Sequence, residues 1–407
     1  MTSETDAAFS LLTADAVRTR AHKLLALGID GRLPHFRVDL SKLDKVADRV
    51  IATTRAAYPS LDVPFHSRWR HFVHNSVDRF AALTKKNDSA AQARAEFDLA
   101  IVSVFLDAGA GAQWRYDDAK TGEQIGRSEG LALASLDMFA AGLFSADGED
   151  PQRVDAAKLA QLTADDLARG FQVSESNPLV GLDGRAALLR RLGELALSKP
   201  GVFAGKDNAR PGGLFDYLAA QHGSALTAPD ILTALLHELG PIWPSRLSLG
   251  GVPLGDCWRH RMLVTGDATN GLVPLHKLSQ WLSYSLIEPL QRAGVTVSNI
   301  DGLTGLAEYR NGGLFVDASV LELHEAQRMQ EAHDVSSELV VEWRSLTVAL
   351  LDKLADVIRG RLGMNAETLP LAKILEGGTW AAGRAIAREK REGGGPPITV
   401  VSDGTVF

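Results

Sequence analysis

With 407 residues, the chain can bury a large core as one unit or as two or three. Hydrophobic residues at 45% and charged ones at 23% describe a soluble globular protein, and a net charge of -7 argues against coating nucleic acid or an anionic membrane. Cys257, the single cysteine, excludes an internal disulfide and fits a reducing compartment. An acidic N-terminus without an apolar signal core, and the lack of any run of about 18 apolar residues, make a cytoplasmic location the expectation.

The predicted elements begin with helices. Thr13 or Asp15 can cap a helix through Leu25 that Gly28 and Gly31 close. After the extended stretch FRVDL, Leu43, Val46, Val50 and Ile51 recur at helical spacing until Pro59 and Pro64 stop the run. HSRWRHF, residues 66–72, crowds cations with aromatics; it reads either as a helix start whose arginines cap carbonyls or as a grip on an anion such as phosphate. AEFDLAIVSVFL, 95–106, is too uniformly apolar for periodicity to separate helix from strand. Trp114 to Tyr116 and Ile125 flank a Lys-Thr-Gly turn, which predicts a hairpin, and Ser128 can cap an apolar helix over 131–144. Asp107, Trp114 and Glu129 form a secondary set of candidate site residues around a loop rich in glycine and alanine.

A polar interval at 145–172 is the candidate boundary between lobes 1–170 and 171–407 of a single unit. Beyond it, Leu188, Leu189, Leu192 and Leu195 make one stripe of an amphipathic helix. Residues 201–218 form a glycine-rich segment that lacks the lysine and hydroxyl of a P-loop and reads as a cover over a pocket. Leu339, Trp343, Leu346, Leu350, Leu354 and Val357 mark the clearest helix, closed by Gly363. Two β-like runs, ITVV and TVF, surround Ser402-Asp403-Gly404, a hairpin signal; ITVV or TVF should dock on the body, the alternative being a disordered tag of no consequence.

The stretch 247–321 sets polar and aromatic residues between glycines, the composition of a small-molecule pocket where backbone comes close and a few polar groups converge. No H-E-x-x-H, paired C-x-x-C or calcium-loop pattern occurs, so no metal is expected. Neither G-x-G-x-x-G after a strand nor G-x-S-x-G occurs, and no cofactor is expected either. Long amphipathic segments without βαβ alternation predict a mainly α fold, one large helical unit over 1–407 with small β-hairpins.

HSRWRHF, WRYDDAKTGEQIGRSEGLALASLDMF, LGDCWRH, GLVPLHKLSQWLSYSLIEPL, IDGLTGLAEYRNGGLFVD, LEGGTWAAGR and SDGTVF resemble the signature segments of the uracil-catabolism family called the fourth Urc protein, from about His66 to Phe407. The resemblance implies a cytoplasmic enzyme in the pathway that opens the uracil ring after ribosylation, at or near the step that handles ribosylurea or its phosphate. LGDCWRH, LHKLSQWL and IDGLTGLAEYR are also similar to three segments of the queuosine-salvage glycosidases, which implies a core like that of the helix-hairpin-helix DNA glycosylases. In those enzymes the segments read like FRDE, YKRAQIL and LTxFADYRVPQ, so Asp256, Lys277, Gln280, Glu308, Tyr309 and Arg310 occupy the matching positions. Glu308 stands where they have aspartate and Asn311-Gly312-Gly313 where they have VPQ, which leaves the departing base open and N-ribosyl cleavage in place.

Breaking a C1'–N bond passes through an oxocarbenium-like state that a carboxylate stabilises, or for which it activates water, while a second acid serves the leaving group. Asp256 is the expected carboxylate, with Glu308 or Asp301 as partner. Arg310, Lys277, Arg68 or Arg70 would hold a 5'-phosphate and Trp258 or Trp281 an apolar wall; His276, Gln280, Tyr309 and Asn311 complete the candidate binding set. The bland alternatives are that Asp256 is a helix cap and that Arg310 pairs with Glu308 to stiffen a loop. Asp256→Asn is expected to fold normally. Three functions stand: an N-ribosidase acting on a small riboside or ribotide, an amidohydrolase attacking the ureido carbonyl, and a noncatalytic scaffold for other enzymes. No nucleic acid or membrane partner is expected, and the oligomeric state is open.

Overall fold

The computed structural model describes residues 3–83, 85–204, 208–243 and 246–401. Helices dominate, and every sheet among the described residues is a single pair of short strands, which makes the fold mainly α. Two compact units share the chain by interleaving it: Met1–His66, Ser245–Gln280 and Asn299–Val401 in the first, Ser67–Pro244 and Trp281–Ser298 in the second. The polar interval 145–172 lies inside the second unit as a connection through two short helices, Ala156–Ala160 and Ala164–Gly170. No helix among the described residues is long and apolar enough to cross a membrane.

The first unit is built on Glu338–Leu362, whose predicted apolar stripe is buried from Leu339 to Leu354 and half-buried at Val357, where Ile358 is the buried residue instead, and whose C-cap Gly363 is left-handed. Ala14–Ile29 and Leu43–Ala57 pack against it. Thr13 caps the former as predicted, its Oγ1 accepting from the Ala16 amide at 3.1 Å. Gly28 lies within that helix: a Cβ there would stand 2.7 Å from a Val38 methyl, so the missing side chain lets the strand Phe36–Val38 approach. That strand pairs antiparallel with Leu321–Leu323. ITVV docks as expected, but Thr399–Val401 pairs in parallel with distant Ala332–Asp334; the turn at Ser402-Asp403-Gly404 and the TVF run lie outside the described residues.

In the second unit the ambiguous run 95–106 belongs to a helix, Ser89–Phe105, buried almost continuously from Ala95. Burial all round explains its lack of a period: an interior helix has no polar face to reveal one. The predicted hairpin forms, Tyr116–Asp118 against Glu123–Ile125. The helix after it runs Arg127–Ala140 with Gly126 at its N-cap, so Ser128 sits within the first turn and does not cap it. HSRWRHF folds into a single 3-10 turn, Arg68–Phe72.

Candidate functional site

Asp256 is positioned by a short antiparallel pair. Cys257–Arg259 runs against Leu272–Pro274, which returns the chain so that the Leu275 and His276 amides donate to the Asp256 carbonyl at 2.8 and 3.2 Å. The helix Lys277–Arg292 begins there, and its first amide, that of Lys277, donates to Asp256 Oδ2 at 2.9 Å. Trp258 Nε1 donates to Oδ1 at 2.6 Å, and Arg344 closes a two-pronged pair, Nη1 to Oδ1 at 2.8 Å and Nη2 to Oδ2 at 2.7 Å. The carboxylate therefore caps a helix, and all four of its lone-pair positions are taken. Burial alone would raise its pKa; the charge and hydrogen bonds of Arg344 prevail and hold it well below the usual carboxylate range.

Arg344, 1% exposed, also donates from Nε to the Ala307 carbonyl at 3.1 Å, tying the Asp256 loop to the segment that leads into Glu308. Two residues earlier on the same helix, fully buried Glu342 accepts the His35 and Phe36 amides on Oε1 and lies 2.8 Å from His260 Nε2 through Oε2. His260 Nδ1 accepts from the Met262 amide, which puts the ring proton on Nε2 and makes Glu342 its acceptor. His276, with φ at +48°, donates from Nε2 to the Leu11 carbonyl at 3.0 Å; its buried Nδ1 makes no hydrogen bond among the described residues. Burial pushes its pKa down, so the ring is neutral. Sequence reasoning took the 338–362 helix as core and missed Arg344 and Glu342. Their signal was there, as two opposite charges inside an otherwise apolar helical run.

Gln280 clamps Thr304 at both ends of its amide, Nε2 to Oγ1 at 2.8 Å and Oε1 from the Thr304 amide at 3.2 Å. Glu308 is the N-cap of Tyr309–Asp317: Oε1 accepts from the Asn311 amide at 2.7 Å and Oε2 from the Arg310 amide at 2.8 Å, leaving each oxygen a further lone pair. Asn311 donates to the Leu306 carbonyl, and its buried Oδ1 makes no hydrogen bond among the described residues. The Arg310 guanidinium lies 5.1 Å from the Tyr309 ring and 4.8 Å from that of Trp380. Its residue is 6% exposed, and no carboxylate pairs with it among the described residues, Glu308 included. Asp301 is engaged elsewhere, by the Arg359 guanidinium and the Leu371 amide.

Trp281, Arg68 and Arg70 belong to the second unit. Arg68 is fully buried, 2.9 Å from Asp107, bonded to Ser103 and 5.6 Å from the Trp281 ring. Arg70 gives both oxygens of Glu288 a donor, at 2.9 and 2.8 Å. Both cations thus have carboxylate partners. Trp114 is a core residue whose indole donates to the Phe171 carbonyl. Among the described residues no group of three or more histidine, cysteine, aspartate and glutamate side chains could hold a metal ion.

Comparison with known proteins gives a consistent result. A family model described as "Protein of unknown function (DUF1688)" matches residues 10–407. The chain is 42% identical over 418 residues to Protein urg3 of Schizosaccharomyces pombe, covering all of both chains. It is 39% identical over 417 residues to Uracil catabolism protein 4 of Lachancea kluyveri, covering 93% of each. The chain belongs to this family, the one to which its signature segments point.

Proposed function

We propose that the chain works in uracil catabolism, the process that names its Lachancea kluyveri relative, by hydrolysing the N-ribosidic bond of ribosylurea or its 5'-phosphate to urea and the sugar. The observation that supports this best is the Glu308–Arg310 segment. It offers a carboxylate with lone pairs to spare, two residues from a buried guanidinium that lacks a counter-ion among the described residues. An uncompensated buried cation is costly unless an anion arrives to meet it, and a sugar phosphate is such an anion.

In this reading the two carboxylates divide the work. Asp256, saturated by four donors, fixes Trp258, Arg344 and the helix start, and acts as an organiser of the site. Glu308 takes a proton from the attacking water as its oxygen bonds to C1'. The C1'–N electron pair leaves with the urea nitrogen, which takes a proton from solvent while Glu308 returns its own to solvent, so that one water is consumed and urea and the sugar are released. The amidohydrolase alternative is weaker, because Cys257 is buried and its thiol pKa is pushed up, first by that burial and then by Asp256. Purified protein incubated with ribosylurea and with its phosphate tests the reading. Urea and free sugar support it, ammonia with carbon dioxide indicates the amidohydrolase, and no turnover of either compound indicates the scaffold. Glu308→Gln should lower turnover by two or more orders of magnitude if the carboxylate acts as stated.

A further inference from the structure

Wholly within the second unit lies a hollow of about 280 Å³, lined among others by Asp78, Phe80, Lys85, Glu96, Gln152 and Arg292. Nothing in the proposed reaction uses it. Its floor is apolar and braced. The Phe80 ring stands 4.7 Å from that of Trp69, and the Arg292 guanidinium lies 5.0 Å over Trp69 and 5.9 Å from Phe80. Arg292 is held in turn by Glu96, 2% exposed, through bonds of 2.9 and 2.6 Å to Oε2, while Gln92 donates to Oε1 at 2.9 Å. These groups are satisfied, so the aromatic face is preorganised before any ligand arrives.

The polar capacity that remains is specific in kind. The Gln152 carboxamide and the Lys85 ammonium line the hollow and form no hydrogen bond with other described residues. Asp78 gives Oδ1 to the Phe80 and Ala81 amides and keeps Oδ2. The lining thus supplies an aromatic face, a free carboxamide that both donates and accepts, one further donor and one further acceptor. Its formal charges cancel, Lys85 and Arg292 against Asp78 and Glu96. A highly charged ligand gains nothing there, and the volume, at the small end for ligand sites, suits a single ring.

We propose that this hollow is a second ligand site, which takes an uncharged, planar, single-ring heterocycle carrying both ring N–H and C=O groups, the chemistry of a free pyrimidine base. The ring stacks on Phe80, and its alternating donors and acceptors meet Gln152, Lys85 and Asp78. The site is independent of the reaction proposed above, since a free base has no ribosidic bond to break.

Calorimetric titration of the full-length protein with uracil tests it, with the fluorescence of Trp69 behind Phe80 as a second readout. Saturable one-to-one binding is expected, weakened at least tenfold by Gln152→Leu and by Phe80→Ala and unchanged by Arg310→Ala. 1,3-Dimethyluracil, which keeps the ring but lacks N–H donors, and orotate, which adds a charge, should each bind at least tenfold more weakly than uracil. Gln152→Leu alters a half-buried loop side chain and keeps the test open should Phe80→Ala fail to fold. No saturable binding at millimolar uracil, equal binding of dimethyluracil, or full binding by Gln152→Leu would overturn the assignment.

Discussion

At the scale of single residues, Asp256 and Arg310 are opposite cases. Asp256 has every lone pair filled, and replacing it by asparagine would aim an N–H₂ group at two existing donors while stripping Arg344, 1% exposed, of its counter-ion. Contrary to the expectation of normal folding, Asp256→Asn should cost about 3–5 kcal/mol of stability, the usual penalty for breaking a buried pair by one partner. Because the folded carboxylate titrates below its unfolded value of about 3.9, its contribution is whole above about pH 4 and is lost as pH falls below that range. Urea denaturation at several pH values checks this: the gap between wild type and variant should be constant near neutrality and shrink in acid. Arg310→Ala should leave folding nearly intact and weaken binding of the phosphorylated substrate by about 1.5–3 kcal/mol, with little effect on a neutral riboside. Side-by-side inhibition constants for the two compounds read that difference. The sequence set Asp256, Glu308 and Arg310 in a glycine-punctuated stretch and the resemblance to the queuosine-salvage glycosidases singled them out, but neither told which carboxylate is saturated. That depends on Arg344, 88 positions away along the chain, and no local pattern encodes such a pairing.

Elements explain how these residues are aimed. Trp380, which stacks on Arg310, follows a π-helical turn, Leu375–Thr379, and opens the helix Trp380–Lys390. The wider turn shifts the register of everything after it, and such insertions are common where a side chain must be re-aimed. That helix lies directly on the Tyr309–Asp317 backbone, since a Cβ on Gly383 would come 2.3 Å from the Arg310 carbonyl oxygen. Gly383→Ala must therefore push two helices apart, at a cost of about 1–3 kcal/mol, and should weaken phosphate recognition without touching any charged group. Thermal unfolding together with the binding comparison used for Arg310→Ala would separate this from plain destabilisation, which would weaken riboside and ribotide alike. Helices with one polar face, such as Leu43–Ala57 and Leu182–Ser198, were legible from spacing, and so was the 116–125 hairpin from its turn. The π turn and the parallel pairing of Thr399–Val401 with Ala332–Asp334 were not, because each is decided by a distant packing partner.

For the whole molecule, the division into units was hidden for a related reason. A composition shift marks a boundary only where a chain finishes one unit before starting the next, and here residues 67–244 are inserted between parts of the first. The consequence reaches back to synthesis on the ribosome. Ala14–Ile29 emerges early, but the helix that covers it, Glu338–Leu362, is made more than 300 residues later. At roughly 5–20 residues per second the nascent amphipathic helix stays uncovered for on the order of tens of seconds, while the intervening second unit can already close. A chain ended after Ser298 should therefore hold a protease-resistant portion from 67–244 and a segment at 1–66 that is cleaved at once, a pattern limited proteolysis with mass spectrometry would read. The same order of events makes the early segment a natural client for a chaperone, and makes any late truncation of the gene a lesion felt first at the opposite end of the protein.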